Sequence, residues 1–232
     1  MKLQRLREEV LEANLELVRR GLVLYTFGNA SGIAREEGLV VIKPSGVAYG
    51  TMKPEDLVVV DLRGNVVEGS LRPSSDLPTH LILYNAFPSL GGVAHTHSRA
   101  ATSWAQAGRE IPCFGTTHAD YFHGAVPVTA PLTAEEVEGD YEANTGVAII
   151  RQMEGRDPLG CPAILVAGHA PFCWGKSVTD ATHAAVIVEE LAALAWQTLT
   201  INPAATPIAE TLRDKHHFRK HGPKATYGQG NG

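Results

Sequence analysis

Cysteine is scarce in this chain. Cys113, Cys161 and Cys173 are odd in number and form no Cys-x-x-Cys pair, so neither a disulfide framework nor a thiolate zinc site is expected. Charge of one sign is also missing: 20 Lys and Arg stand against 25 Asp and Glu, a formal net charge of -5. That balance argues against nucleic-acid binding and leaves room for a local basic pocket that takes a small anion. The most apolar stretch, Ala184 to Trp196, is broken by Glu189 and Glu190, and it is too short to span a bilayer. Residues 1–20 carry charges throughout, unlike a secretory signal, so the cytoplasm is the expected compartment. Gly175-Lys176-Ser177 looks like the end of a P-loop, but Ala170 stands where that motif needs its first glycine. No repeat and no long linker divides the 232 residues. One domain, residues 1–232, with one sizeable core suits that length.

What is present is an alternation of helix-like and strand-like segments. Leu3, Leu6, Val10, Ala13 and Leu17 recur at helical spacing over residues 3–20, and Gly21 is a suitable stop. Residues 22–27 read as a strand that runs into a small polar loop, Gly28-Asn29-Ala30-Ser31-Gly32. Residues 40–42 read as a second strand, ending in Lys43-Pro44-Ser45-Gly46. Each loop is either an ordinary turn or a nest of backbone N–H groups for an anion, with Lys43 adding a charge. Residues 57–61 and 66–68 predict a hairpin, and a helix is expected over 77–87 with Leu81 and Tyr84 inward. A strand over 91–97 follows, then a helix over 99–107 capped by Ser98. Residues 111–114 and 126–128 read as extended, and 116–120 as a polar loop. Thr133 and Glu136 make a capping box that opens a helical region to Glu154. Residues 163–167 read as a buried strand, Thr179 and Asp180 open a long helix to Thr200, and a last helix spans 207–221. The pattern favours one α/β domain with a mixed or mostly antiparallel central sheet flanked by helices.

Gly91-Gly92-Val93-Ala94-His95-Thr96-His97-Ser98 is the stretch that carries chemistry. On a strand, residues i and i+2 project from one face, so His95 and His97 are either two half-buried histidines or half of a metal cage. His169, at the end of another strand, is a buried histidine or a third ligand. Asp76 is a helix N-cap or a fourth, oxygen ligand, and Ser74 and Ser75 begin a helix or meet a phosphate. Such an N/O set suits zinc, and manganese or cobalt as well. His80, one turn after Asp76, is a candidate to support the ligands. His183 reads as a core residue, His118 and His123 as loop residues, and His216, His217 and His221 as a solvated basic face.

Several motifs together, in this order, resemble the class II aldolase family. They are Phe27-Gly28-Asn29-Ala30-Ser31, Lys43-Pro44-Ser45-Gly46, Ser74-Ser75-Asp76, Pro78-Thr79-His80, His95-Thr96-His97-Ser98 and Gly168-His169. The stretches Gly115 to Asp120, Asp214 to Gly222 and Thr226 to Gln229 resemble its L-ribulose-5-phosphate 4-epimerase branch. The resemblance implies a zinc-like ion on Asp76, His95, His97 and His169. It implies a substrate phosphate held by Gly28, Asn29, Ser45, Gly46, Ser74 and Ser75 with Lys43 nearby. Asp120 and Tyr227 would be the acid/base pair, with Thr116, His216 and Arg219 as accessory residues. It further implies a homotetramer with active sites at subunit interfaces, Asp120 coming from the neighbouring chain, and residues 207–232 forming a helix and tail that close the site. The implied reaction converts L-ribulose 5-phosphate to D-xylulose 5-phosphate by retro-aldol cleavage and re-formation of the C3–C4 bond. A sugar-phosphate aldolase that releases its fragments is the alternative. A non-catalytic scaffold such as the adducin head lacks the metal ligands that this chain carries.

Overall fold

The fold is that of a computed structural model, described for residues 1–221 and 225. Tyr227, the expected acid/base residue in the tail, lies outside the described residues. The elements in chain order are α1 (Gln4–Arg19), β1 (Gly28–Ala34), β2 (Leu39–Ile42), β3 (Val58–Asp61), β4 (Val66–Glu68), α2 (Leu77–Ala86), β5 (Gly92–Thr96) and α3 (Arg99–Gln106). Then come α4 (Thr116–Ala119), α5 (Ala134–Glu138), α6 (Tyr141–Gln152), β6 (Ala163–Leu165), β7 (Pro171–Gly175), α7 (Val178–Ile201) and α8 (Glu210–Lys220). The strands form one seven-stranded sheet in the order β4-β3-β2-β1-β5-β7-β6. Every ladder in it is antiparallel; a lone Val128–Leu165 bridge is parallel.

Side-chain alternation divides the interior into two layers. Ala30, Val41, Val59, Ala94 and Cys173 point to one face, where α1, α3 and α7 cover them. Val40, Ile42, Val60, Val93, Phe172 and Trp174 point to the other, where α2 and α6 close the core. A sheet buried on both faces needs apolar residues at successive positions, which the run Val58-Val59-Val60 supplies. α7 is long and apolar enough to cross a membrane by length and composition. In the fold one face of it packs against β5, β7, α1 and α3.

Local propensity misplaces several elements. Residues 22–27 are not a strand; the supposed loop Gly28-Asn29-Ala30-Ser31-Gly32 is itself β1, paired on both sides. Its residues are small because α1 crosses close above: a Cβ on Gly32 would stand 2.8 Å from Leu6 Cδ1. Asn14 of α1 completes the contact, donating to the Ala30 carbonyl at 3.0 Å and accepting from the Ala30 N–H at 2.9 Å. Tertiary contact here overrides the weak strand preference of glycine, alanine and asparagine. β7 carries terminal Pro171 and Gly175, which read as turn residues, yet it sits between β5 and β6. Residues 116–120 begin as a helical turn rather than a loop, and 111–114 contribute only the Ile111–Val126 bridge. The capping box at Thr133 holds, but Gly139 and Asp140 break the expected helix into α5 and α6. α7 is capped by Ser177, ahead of the expected start, and α8 opens at Glu210 rather than 207. His183 is exposed on α7 instead of buried in the core, whereas His217 is buried rather than solvated.

Gly91 and Gly92 set how closely β5 approaches the chain leading into α7. A Cβ on Gly92 would lie 2.3 Å from the Val178 Cα, and one on Gly91 2.0 Å from the Lys176 carbonyl oxygen. Backbone cannot swing aside as a side chain can, so Gly92→Ala must push α7 off the sheet. We expect a loss of about 3 kcal/mol, the upper range for overpacking, read from denaturant unfolding. A variant as stable as the parent would show that β5 and α7 can separate freely.

Candidate metal centre

Sheet register places the first histidine. His95 lies opposite Asn29 of β1 and opposite Phe172 of β7. Residues directly opposite one another share a face, so Asn29, His95 and Phe172 form one row across the sheet. The Phe172 ring stacks on the His95 imidazole, centroids 4.1 Å apart. His97 follows just beyond the end of β5, and its ring returns to the same side: the two Nε2 atoms approach to 3.1 Å. His169 sits in the turn between β6 and β7, after Gly168 at φ 70, a left-handed position that glycine takes without strain. Ligand nitrogens of His95, His97 and His169 all lie within 4.8 Å of one another.

The imidazoles are prepared as ligands. His95 Nδ1–H donates to the Pro171 carbonyl at 2.9 Å, so in the neutral ring Nε2 keeps its lone pair. Burial disfavours the imidazolium form: His95 and His97 are held below their ordinary value, and His169 is lowered to about 4. Two nitrogens bound at about 2.0–2.1 Å to one tetrahedral ion stand roughly 3.3 Å apart, near the 3.1 Å seen here. The donor set therefore fits a divalent ion of the zinc, manganese or cobalt kind.

Asp76 lines the same cavity but is not part of the 4.8 Å group. It stands at the start of α2, yet its side chain makes no capping bond. Its Oδ2 instead accepts from Asn29 Nδ2 at 2.6 Å. Burial alone would raise the carboxyl; the imidazoles of His95 and His80, the Asn29 amide and His169 outweigh that and hold it below the usual range. His80 lies behind this edge of the site, fully buried, with Nδ1 2.7 Å from Ser31 Oγ. Burial lowers it to about 3, so it is neutral.

A cavity of about 520 Å³ joins the histidines to two loops, one with Lys43, Ser45 and Gly46 and one with Ser74 and Ser75, a size typical of small-molecule sites. Gly28, Asn29, Lys43, Ser45, Gly46, Ser74, Ser75 and Asp76 all line it. The loops lie side by side because Ser45 N–H donates to Arg72 O and Ser74 N–H to Lys43 O, both at 2.9 Å. Asn29 commits both amide hydrogens inside the protein, to Ser74 Oγ at 3.1 Å and to Asp76. Its Oδ1 is buried and has no partner among the described residues. Lys43 is buried, its Nζ 4.7 Å from the centre of the Tyr49 ring, and burial lowers its pKa to about 8. A groove of about 570 Å³ between α3 and α7 is slightly larger. It holds none of these histidines and is lined by Trp104, Trp196 and Leu199 beside Arg99, Arg109 and Glu189.

Asp120 is not among the cavity residues of its own chain. α8 clamps it: Arg219 donates to both carboxylate oxygens at 3.0 and 2.7 Å, and His216 Nδ1 lies 3.2 Å away. Burial would raise this carboxyl, but Arg219, His216 and Lys220 hold it down. Thr116 opens α4, the same short helix that Asp120 ends. Three contributors escape sequence reasoning. Tyr141 reaches the cavity with its hydroxyl 3.3 Å from His169 Nδ1. Tyr49 donates to Gly28 O at 2.7 Å. Glu189 accepts from the Ala100 and Ala101 N–H groups at 2.8 and 2.9 Å. It thus caps α3, the role expected of Ser98, just after His97. Only spatial proximity reveals these partners, since no local spacing encodes them.

The buried neutral histidines fix a pH response. In the unfolded chain they take a proton near 6.5, whereas His169 and His118 resist until about 4 and His80 until about 3. The unfolded form then binds more protons in that window, so stability of the metal-free protein falls as pH drops from 6.5 towards 4. Urea unfolding across the window checks this; a constant midpoint contradicts it. At neutral pH, zinc at 100 times its dissociation constant should add about 2.7 kcal/mol, and His97→Asn should abolish most of that gain.

The model of the Class II Aldolase and Adducin N-terminal domain family matches residues 8–196. L-ribulose-5-phosphate 4-epimerase UlaF of Salmonella paratyphi C is 59% identical over 227 residues, 98% of this chain and 100% of that protein. The Salmonella typhi protein of the same name is 58% identical over the same span. Among solved structures, an L-fuculose 1-phosphate aldolase superposes with a TM-score of 0.79 at 27% identity, covering 93% of this chain and 95% of its own. The L-fuculose-1-phosphate aldolase of Thermus thermophilus gives 0.68 at 26% identity, covering 88% and 99%. Matching domain, near-full-length relatives and shared fold agree: the chain belongs to the class II aldolase and adducin family.

Proposed function

We propose that this chain is a metal-dependent epimerase that converts L-ribulose 5-phosphate to D-xylulose 5-phosphate by breaking and re-forming the C3–C4 bond. The observation that carries this reading is one cavity in which three neutral imidazoles and Asp76 face a cluster of loop hydroxyls and a buried lysine. Relatives named L-ribulose-5-phosphate 4-epimerase over almost the whole chain support it.

The hydrogen on C4 of a 2-ketose is not adjacent to the carbonyl, so simple deprotonation cannot invert that centre. Removing the proton of the C4 hydroxyl lets the C3–C4 bond break, leaving a three-carbon enediolate and glycolaldehyde phosphate. Rotation of the aldehyde and attack on its other face restore the bond with inverted stereochemistry. His95, His97, His169 and Asp76 would hold the divalent ion, which supplies Lewis-acid stabilisation of oxyanion charge. Lys43, Ser45, Gly46, Ser74 and Ser75 hold the phosphate, so the aldehyde turns without leaving. Gly28 and Asn29 line the cavity beside them.

The two faces of C4 need a proton acceptor and a proton donor. The reading gives these roles to Asp120, from a neighbouring subunit, and to Tyr227, with Thr116, His216 and Arg219 as accessory residues. It makes the active form a homotetramer with interface sites, closed by residues 207–232. Anchoring of Asp120 to α8 supports its joint delivery with His216 and Arg219. Zinc is the proposed ion and the cytoplasm, where sugar phosphates are retained, the proposed compartment.

The likeness in shape to L-fuculose 1-phosphate aldolases supports a second reading, an aldolase that releases its two fragments. Incubation with L-ribulose 5-phosphate separates them: D-xylulose 5-phosphate accumulates if the first is right, free glycolaldehyde phosphate if the second is. Chelator-treated protein should be inactive and recover with zinc or manganese; full activity without metal overturns the mechanism. Lys43 adds a pH signature. Its charged form binds phosphate, and that form is lost above about 8, so KM should rise as pH climbs through that value. Lys43→Met should raise KM at neutral pH and remove the alkaline rise.

A further inference from the structure

His169 is held less firmly than His95. It stands in a turn, half-buried, on a hairpin whose first strand has only three residues. His95 is stacked on Phe172 and bonded to Pro171. The one hydrogen bond of the His169 ring, among the described residues, is to Tyr141, Oη to Nδ1 at 3.3 Å.

Tyr141 is itself rigidly mounted. It is the first residue of α6, after Asp140, whose carboxylate accepts from Ala143 N–H at 3.2 Å. Thr79 of α2 donates to the Glu142 carbonyl at 2.6 Å. Gly146 lies so near α2 that a Cβ there would stand 2.9 Å from Ile82 Cβ. α6 is therefore bolted to α2, the helix that begins just after Asp76. Through Tyr141, the turn that carries His169 is referenced to the element that carries Asp76.

We infer that Tyr141 is a positioning residue for His169, fixing the ring that would ligate the divalent ion and so raising the affinity of the site for it. The role rests on the metal reading above. With Nδ1–H donated to the Tyr141 oxygen, Nε2 keeps its lone pair for the ion. Partners of this kind orient a ligating imidazole and raise its basicity, and their loss weakens metal binding by roughly 10–100-fold.

Tyr141→Phe removes only the oxygen. Zinc affinity of metal-free protein is measured by competition with a chromophoric chelator, alongside the absorption spectrum of the cobalt-loaded form and the melting temperature of the metal-free form. The expected result is a dissociation constant raised roughly 10–100-fold, an altered cobalt spectrum and an unchanged metal-free melting temperature. In a His169→Asn background the same substitution should leave the residual affinity unaltered. Wild-type affinity and spectrum in Tyr141→Phe overturn the role, and so does an equal loss of affinity in both backgrounds. A raised KM for substrate with metal affinity intact also overturns it, making Tyr141 a substrate contact. Failure of the parent protein to bind zinc or cobalt would instead overturn the metal reading, and this role with it.

Discussion

The antiparallel register of three central strands is the constraint on which the site depends. Asn29, His95 and Phe172 are opposite one another because β1, β5 and β7 pair as they do. A slip of one residue would turn His95 to the face occupied by α1 and α7 and leave an imidazole among apolar side chains. Asn29 would lose Asp76 at the same moment. The register is defended by burial on both faces and by the glycine pair at the entry of β5, which fits only one depth of approach to α7.

Electrostatics then follow from position. Burial keeps the imidazoles uncharged, while Asp76 stays anionic beside them. A cluster of three neutral rings and one carboxylate is one negative charge short of neutralising a divalent cation. In the proposed function, that remainder of positive charge would attract the oxygens of a ketose. At the other end of the cavity, Lys43 gives up part of its hydration to sit over Tyr49, so its charge is available to an anion with little water to displace. In that reading the two ends would take different parts of one molecule.

The chemistry of the site was more legible in the sequence than its scaffold. His95 and His97 share a face wherever a strand forms, and Asp76, Ser74 and Lys43 stand in short polar motifs that draw the eye. The strand nature of Gly28 to Gly32 was hidden because its cause is α1 passing overhead, a contact no local pattern records. β7 was hidden by its terminal proline and glycine. Tyr141, Tyr49 and Glu189 act across 28, 21 and 88 or 89 residues of chain, and each looks like an ordinary surface or core residue until the fold is known. The clamp of α8 on Asp120 was masked in the same way, because a run of Lys, Arg and His reads first as a solvated face.

The carbonyl that fixes the His95 tautomer belongs to Pro171, 76 residues further along the chain. β5 is synthesised long before its partner β7, and its flanking strand β1 earlier still. While the ribosome is extending the chain from His97 to His169, two imidazoles exist without the group that aims the first or the ligand that completes the trio. A nascent chain therefore offers a metal ion only an incomplete, poorly oriented pair. In the proposed function, selection among the ions of the cell waits until the last hairpin docks, so loading would belong to the finished protein rather than to its synthesis.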